Sequence, residues 1–124
     1  MVEVVAVEAG AAPPYRLTTV RGTGGPVVYS GHSLFACLLE FRKDLERDEL
    51  LLCCQGARPD VINSGMQSQM TGGRFVYTAD LEARRVNDEM VDILAPARPG
   101  DVVTVAEQRA ATFAFFGIRD RSLG

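Results

Sequence analysis

The segment from Gln55 to Arg74 shows neither helical nor strand periodicity, and it lies between two stretches that are typical of core strands. Loops of this length are uncommon inside compact domains, and those that occur are usually functional or disordered. This segment contains Val61, Ile62 and two methionines, and its polar residues are mixed hydrogen-bonding types rather than a run of one charge. We therefore expect an ordered loop, and we place the candidate functional site in it.

The bulk composition indicates one small globular domain covering residues 1–124. The chain has 124 residues, of which 47% are hydrophobic and 23% are charged, and these are ordinary values for a chain that can bury a core. The net charge of -3 argues against a partner that is nucleic acid or anionic membrane, because such partners are bound by basic patches. A basic partner protein remains compatible with it.

The sequence also favours the cytoplasm. No stretch approaches the roughly 18 apolar residues that cross a bilayer, and the first residues lack the basic region of a signal peptide. Cys37, Cys53 and Cys54 are an odd count with two adjacent members, which is a poor disulfide framework. Reduced thiols in a cytosol are the simplest interpretation.

Three strands and a helix are predicted before the loop. Val2 to Val7, Tyr15 to Val20 and Pro26 to Tyr29 have strand character, and the glycines between the last two favour a β-hairpin. Ser33 to Arg47 has apolar residues at helical spacing and a serine that can cap its start. The apolar run from Leu50 to Cys54 is typical of a buried central strand.

The second half of the chain predicts strands followed by a helix. Arg74 to Thr78 indicates a strand, Leu81 to Glu89 a turn, and Met90 to Leu94 another apolar segment. Val102 to Val105 fits either a short strand or the lead into a helix. Thr104 and Glu107 match a capping box, and the helix should run to about Phe116 and end at Gly117.

This order of elements predicts an α+β fold. We expect a mixed or antiparallel sheet of about five to six strands, with two helices packed on one face.

The polar residues of the loop are the candidate binding residues. Arg58 and Arg74 could clamp a carboxylate or phosphate, and Asp60 after Pro59 could form a turn that folds the loop back. Met66, four residues before Met70, could pack on the core or contact a partner. A small acidic group further along the chain could meet a basic partner. The full set is Arg58, Asp60, Asn63, Ser64, Met66, Gln67, Arg74, Asp88, Glu89 and Asp92.

The motifs for catalysis or metal binding are weak. His32 could act as a base for Cys53 or Cys54, but a capping or surface histidine is the simpler interpretation. Consecutive strand residues point to opposite faces, so the adjacent thiols would not share one ion, and no Cys-x-x-Cys pair occurs. We therefore predict no catalytic residue, no metal and no cofactor.

Short segments of the middle of the chain resemble a pattern in small bacterial proteins. They are Ser33-Leu34-Phe35, the stretch from Leu52-Cys53 to Ser64-Gly65-Met66, and Gly72-Gly73-Arg74. No established activity comes with that family, so the resemblance implies no functional residues.

Three hypotheses follow. The first is a non-catalytic bacterial binding protein, of the immunity or inhibitor kind, that recognises a toxin or enzyme through the 55–74 loop and the acidic group. The second is an enzyme that handles a small molecule or nucleotide and holds an anion between Arg58 and Arg74. The third is a homodimeric accessory subunit that exposes Phe113, Phe115 and Phe116 for assembly.

Overall fold

The computed structural model describes residues 2–8, 15–62 and 71–117. Its elements include six strands and two α-helices, so the α+β class predicted from the sequence is confirmed. The described strands form two separate three-stranded antiparallel sheets. The prediction of one sheet of five to six strands is therefore wrong. Periodicity identifies strands, but it carries no information about which strands pair.

The first sheet contains β1 (Val2–Glu8), β2 (Tyr15–Arg21) and β3 (Val27–Gly31) in that order. β2 and β3 form the predicted hairpin, and Gly22, at φ 56°, opens the turn between them. A left-handed φ of this kind costs glycine little, because it has no Cβ.

Helix α1 (Leu34–Arg47) follows the first sheet, as predicted. Ser33 caps it, since the serine side chain accepts a hydrogen bond from the Ala36 amide at 3.1 Å. The next segment, Leu50 to Cys54, is not the predicted central strand: Leu50 and Leu51 are 44% and 48% exposed, and Cys54 makes only an isolated bridge, to Pro96. The apolar run was therefore misleading, because no strand among the described residues covers it.

The second sheet contains β4 (Val61–Ile62), β5 (Phe75–Asp80) and β6 (Arg85–Asp92) in that order. The predicted turn over Leu81 to Glu89 is correct only up to Arg84, because β6 begins at Arg85. Residues 85–90 are exposed on both faces of the strand. The alternation of apolar and polar residues that marks a half-buried strand is consequently absent there.

Helix α2 (Val105–Phe116) begins with the predicted capping box of Thr104 and Glu107 and ends at Gly117, whose φ is 70°. Val102 to Val105 is thus the lead into this helix. Phe115 is 9% exposed and packs with Ile62 and Ala79 in a small cluster. Of the three phenylalanines proposed for assembly, Phe115 is therefore buried within the chain and Phe116 is 51% exposed.

The main core joins α1 to both sheets. Its buried residues include Leu38 and Phe41 of α1, Leu17 of the first sheet, and Val61 and Val76 of the second. Neighbouring strand residues point to opposite faces, so Val61 faces the main core while Ile62 faces the cluster of α2. Val61 and Ile62 of β4 thus join different clusters, and Phe115 of α2 belongs to the cluster of Ile62.

Candidate functional site

A buried arginine joins the elements that carry the candidate site. Arg42 of α1 is 1% exposed, and its guanidinium donates to Gln108 Oε1 at 2.6 Å, to the Val103 carbonyl at 2.9 Å and to the Gly56 carbonyl at 3.4 Å. Burial lowers the pKa of Arg42, and the neighbouring Cys54 and Glu46 partly oppose that effect. These bonds hold the start of the predicted loop against both helices.

Gln108 of α2 completes this network. The residue is 4% exposed, and its Nε2 donates to the carbonyls of Gly56 and Arg58 at 2.7 and 2.8 Å. Buried carbonyl groups without a partner are costly, and this amide satisfies two of them. Side chains of α1 and α2 therefore fix the backbone at residues 56–58.

The fixed backbone forms one wall of an open groove with a volume of about 930 Å³. A 3₁₀ turn at Gln55–Ala57 begins this wall, and its Gln55 amide donates to the Ala95 carbonyl at 2.8 Å. The second wall is the end of β5 with the turn that follows, and the third is the segment 96–103. Three parts of the sequence that are far apart along the chain thus meet at one place.

The groove carries more carboxylates than cations. Asp60, Asp80, Glu82 and Asp101 line it.

Arg58 and Arg98 are the two guanidinium groups of the lining, so four negative charges face two positive ones and leave a net of two negative charges. Both guanidinium groups are already engaged. Arg58 binds Asp60 through two parallel hydrogen bonds of 2.8 and 2.6 Å, and Arg98 binds Asp101 at 3.0 Å.

Asp80 and Glu82 account for the excess of negative charge in the groove. Both are exposed, and Asp80 also accepts a hydrogen bond from the Ala83 amide at 3.0 Å, which fixes the turn after β5. Neither residue has an ion-pair partner among the described residues. The groove is therefore suited to receive a positively charged group.

Carboxylates, guanidinium groups and one amide are the polar side chains of the described lining. Among the described residues that form the groove there is no histidine, cysteine, serine, threonine or lysine. No group of three or more potential ligands in the described part of the chain could hold a metal ion. Through its carboxylates the groove can bind and orient a cation.

The thiols and the histidine lie elsewhere. Cys54 is buried, and burial raises the pKa of its thiol although Arg42 opposes the effect. The thiolate, which is the reactive form, is disfavoured by this environment. Cys53 and His32 are exposed. The raised pKa of Cys54 therefore disfavours the nucleophilic role considered for this cysteine.

The two arginines of the predicted anion site are each bound to a carboxylate. Arg58 is held by Asp60 and also donates to Gln55 Oε1 at 2.6 Å. Arg74 binds Asp92 through two hydrogen bonds of 3.0 Å. A ligand anion would have to displace an internal carboxylate from either guanidinium group, so the geometry does not favour the second hypothesis.

The other predicted binding residues are divided among three places. Arg58 and Asp60 lie together in the groove. Arg74, Asp88, Glu89 and Asp92 do not line it: the first and last form the ion pair just described, and the middle two are exposed on β6. Asn63, Ser64, Met66 and Gln67 lie outside the described residues, as does Met70.

Sequence reasoning missed most of the groove. Asp80, Glu82, Arg98 and Asp101 were not selected, because each lies in a short polar stretch that has no motif. One usable signal was present: Asp80 and Glu82 come two and four residues after the predicted end of a strand at Thr78, where side chains at a sheet edge can converge on a ligand.

A second groove of about 390 Å³ lies between α1 and α2. Its lining includes the apolar side chains of Phe35, Leu39, Val61 and Phe113.

Comparisons with known proteins give no family for this chain. No protein-family model matches this chain, and a search of curated proteins finds no significant relative. The resemblance to a pattern in small bacterial proteins stays a prediction. Within the described ranges, neither helix has the length and apolar character that a membrane span requires.

Proposed function

We propose that this chain is a non-catalytic binding protein, of the immunity or inhibitor kind, that recognises a basic surface of a partner protein through the acidic groove. The observation that carries the proposal is the excess of carboxylates in the groove. Both guanidinium groups of the groove form ion pairs within the chain, whereas Asp80 and Glu82 have no cationic partner among the described residues.

Two further features support recognition of a protein. The network of Arg42 and Gln108 fixes one wall of the groove, and a preformed surface loses less conformational freedom on binding. Leu81, which is 37% exposed, places an apolar side chain beside the two carboxylates. An apolar contact beside complementary charge is typical of protein interfaces.

The acidic residues of β6 have a secondary role in this proposal. Asp88 and Glu89 are exposed but do not line the groove. They add to the negative field that accelerates the approach of a basic partner, and such steering weakens as ionic strength rises.

A matched pair of variants tests the role of the groove. We expect Asp80→Asn with Glu82→Gln to weaken binding of a fluorescent deca-arginine peptide by about two- to thirty-fold, because two exposed charge interactions are lost. Asparagine retains an oxygen for the Ala83 amide. The control, Asp88→Asn with Glu89→Gln, removes the same charge outside the groove and should have a smaller effect. Equal losses in the two variants would show general attraction by net charge and would contradict the proposal.

The partner itself is sought by co-expression with the products of the flanking genes. We expect one of them to co-purify with the wild-type chain and to be lost with the groove variant while the control variant retains it. Failure of both flanking products to associate would remove the support for an immunity or inhibitor function.

A further inference from the structure

The third strand has an outer edge that no described strand covers. β3 pairs with β2 on one side only, because the order of the first sheet is β1-β2-β3. Its register with β2 runs without interruption through five pairs, from Tyr15 and Gly31 to Thr19 and Val27. An edge of this kind presents a row of backbone N–H and C=O groups that can bind another strand.

The other sheet edges are less suitable for strand pairing. β1 has an irregular register between Val4 and Ala6 and contains two glutamates. Within the described ranges, β4 has two residues. β6 has an irregular register between Tyr77 and Ala79 of its partner strand and carries three exposed charges. Bulges, charges and short length are the devices by which proteins block edge pairing.

β3 has an uninterrupted register with β2, five residues and no charged side chain. No charged residue occurs between Gly22 and Leu39. Its first two residues are exposed and apolar, with Val27 at 47% and Val28 at 55%. We propose that the outer edge of β3 binds β3 of a second copy of this chain, antiparallel and about a two-fold axis at Tyr29, to form one six-stranded sheet.

The strand sequence is compatible with itself in this register. The axis places Val28 opposite Ser30 of the second copy and Val27 opposite Gly31 of the second copy, so no like charges face each other. A two-fold contact uses the same patch on both copies, and six strands is an ordinary size for a sheet.

Helix α1 adds charge complementarity that selects a second copy over an unrelated strand. It lies over β3, because Tyr29 Oη donates to Asp44 at 2.6 Å and the ring of Tyr29 lies 5.4 Å from that of Phe41. Glu40 and Arg47 lie four residues before and three residues after Asp44, and therefore on the same flank of the helix. A two-fold axis near Tyr29 exchanges the two ends of this flank. Within one chain Glu40 pairs with Lys43 and Arg47 pairs with Asp44. Because Glu40 and Arg47 are exposed, these pairs contribute little to stability, and Arg47 of each copy can exchange its partner for Glu40 of the other.

Static light scattering tests the proposal directly. We expect the wild-type chain, 13.4 kDa as a monomer, to scatter as a dimer of about twice that mass at micromolar concentration. Val28→Lys should raise the dissociation constant at least about tenfold, because the two lysines would be diagonal neighbours across the new pair of strands. Val86→Lys places the same change at an exposed valine on the edge strand β6 and should leave the dimer intact.

A charge exchange tests the helix contact. Glu40→Arg alone and Arg47→Glu alone should each weaken the dimer, and the double variant should restore it, because the complementary pair is rebuilt with reversed sign. A wild-type monomer at all concentrations up to about 1 mM would overturn the proposal. So would a dimer that Val28→Lys leaves intact, or one that Val86→Lys dissociates. The groove has no part in this experiment, so its result is independent of the proposed function.

Discussion

Replacing Arg42 by methionine should destabilise the chain more than any surface substitution. Methionine keeps most of the length and apolar packing of the stem but removes the guanidinium. Gly56 keeps a donor in Gln108, whereas the Val103 carbonyl and Gln108 Oε1 each lose the bond that Arg42 donates to them. Buried hydrogen bonds to a charged group contribute about 1.5–3 kcal/mol each. The two short bonds together therefore predict a loss of about 3–6 kcal/mol.

This loss is large, since the free energy of unfolding of a domain is only about 5–15 kcal/mol. Urea unfolding monitored by circular dichroism would measure it, and the slope of the unfolding free energy against urea should stay unchanged if the native and unfolded states keep their exposed surfaces. Arg42→Lys is the matched variant: it keeps the charge but lacks the planar fork that reaches several acceptors, so we expect it to lose nearly as much stability. Gln108→Leu with Arg42→Met in a double-mutant cycle would give the coupling between the two side chains.

The solvation of the guanidinium opposes the expected loss of stability. Burying a guanidinium without an ion-pair partner costs solvation energy, and replacing buried charges by apolar groups can be stabilising. If Arg42→Met equals or exceeds the wild type in stability, the solvation cost outweighs the hydrogen bonds. The network would then not be what holds residues 56–58 in place.

Two further predictions follow from close packing and from the cap of α2. Gly56→Ala should lower the free energy of unfolding in urea by about 1–3 kcal/mol, because its Cβ would lie 2.5 Å from Leu38 Cδ2 and 2.9 Å from Ile93 Cβ. The control is Gly25→Ala, whose Cβ meets no atom within 4 Å. It should change the free energy of unfolding by less than about 0.5 kcal/mol. Hydrogen bonds from the Thr104 amide and hydroxyl lower the pKa of Glu107, so its contribution is complete above the pKa of the unfolded chain, near 4.3, and is lost as pH falls through the lower folded value. The wild type should therefore lose stability relative to Glu107→Gln in acid titrations of Tm below about pH 4, and parallel curves for the two proteins would contradict this.

The segments with local signals were predictable from the sequence. Ser33 and the apolar stripe that follows it determine α1, because capping and helical periodicity depend on residues within a few positions of one another. The capping box at Thr104 and the glycine at 117 likewise determine the ends of α2. The glycine-rich turn determines the hairpin of β2 and β3. In the candidate site, only Arg58 and Asp60 were identified in this way.

Other features depended on contacts between distant parts of the chain. The run from Leu50 to Cys54 was apolar enough for a core strand, but no strand in the described part of the chain covers it, and it remains partly exposed. β6 lacked a pattern, since exposure on both faces removes the alternation on which strand prediction depends. Arg42 lies between Phe41 and Lys43 in the sequence of α1, with no local signal for burial. In the structure it is 1% exposed and donates to acceptors of residues 56, 103 and 108.

The sequence by itself determined the class of the fold, the two helices with their caps and the mild acidic charge of this protein. The tertiary structure alone decided that the strands divide into two sheets and that carboxylates of three distant segments meet in one groove. The physical reason is the range of the interactions. Caps, turns and periodicity are local, whereas strand pairing, burial of a charge and the electrostatic potential of a groove depend on which segments the folded chain brings together.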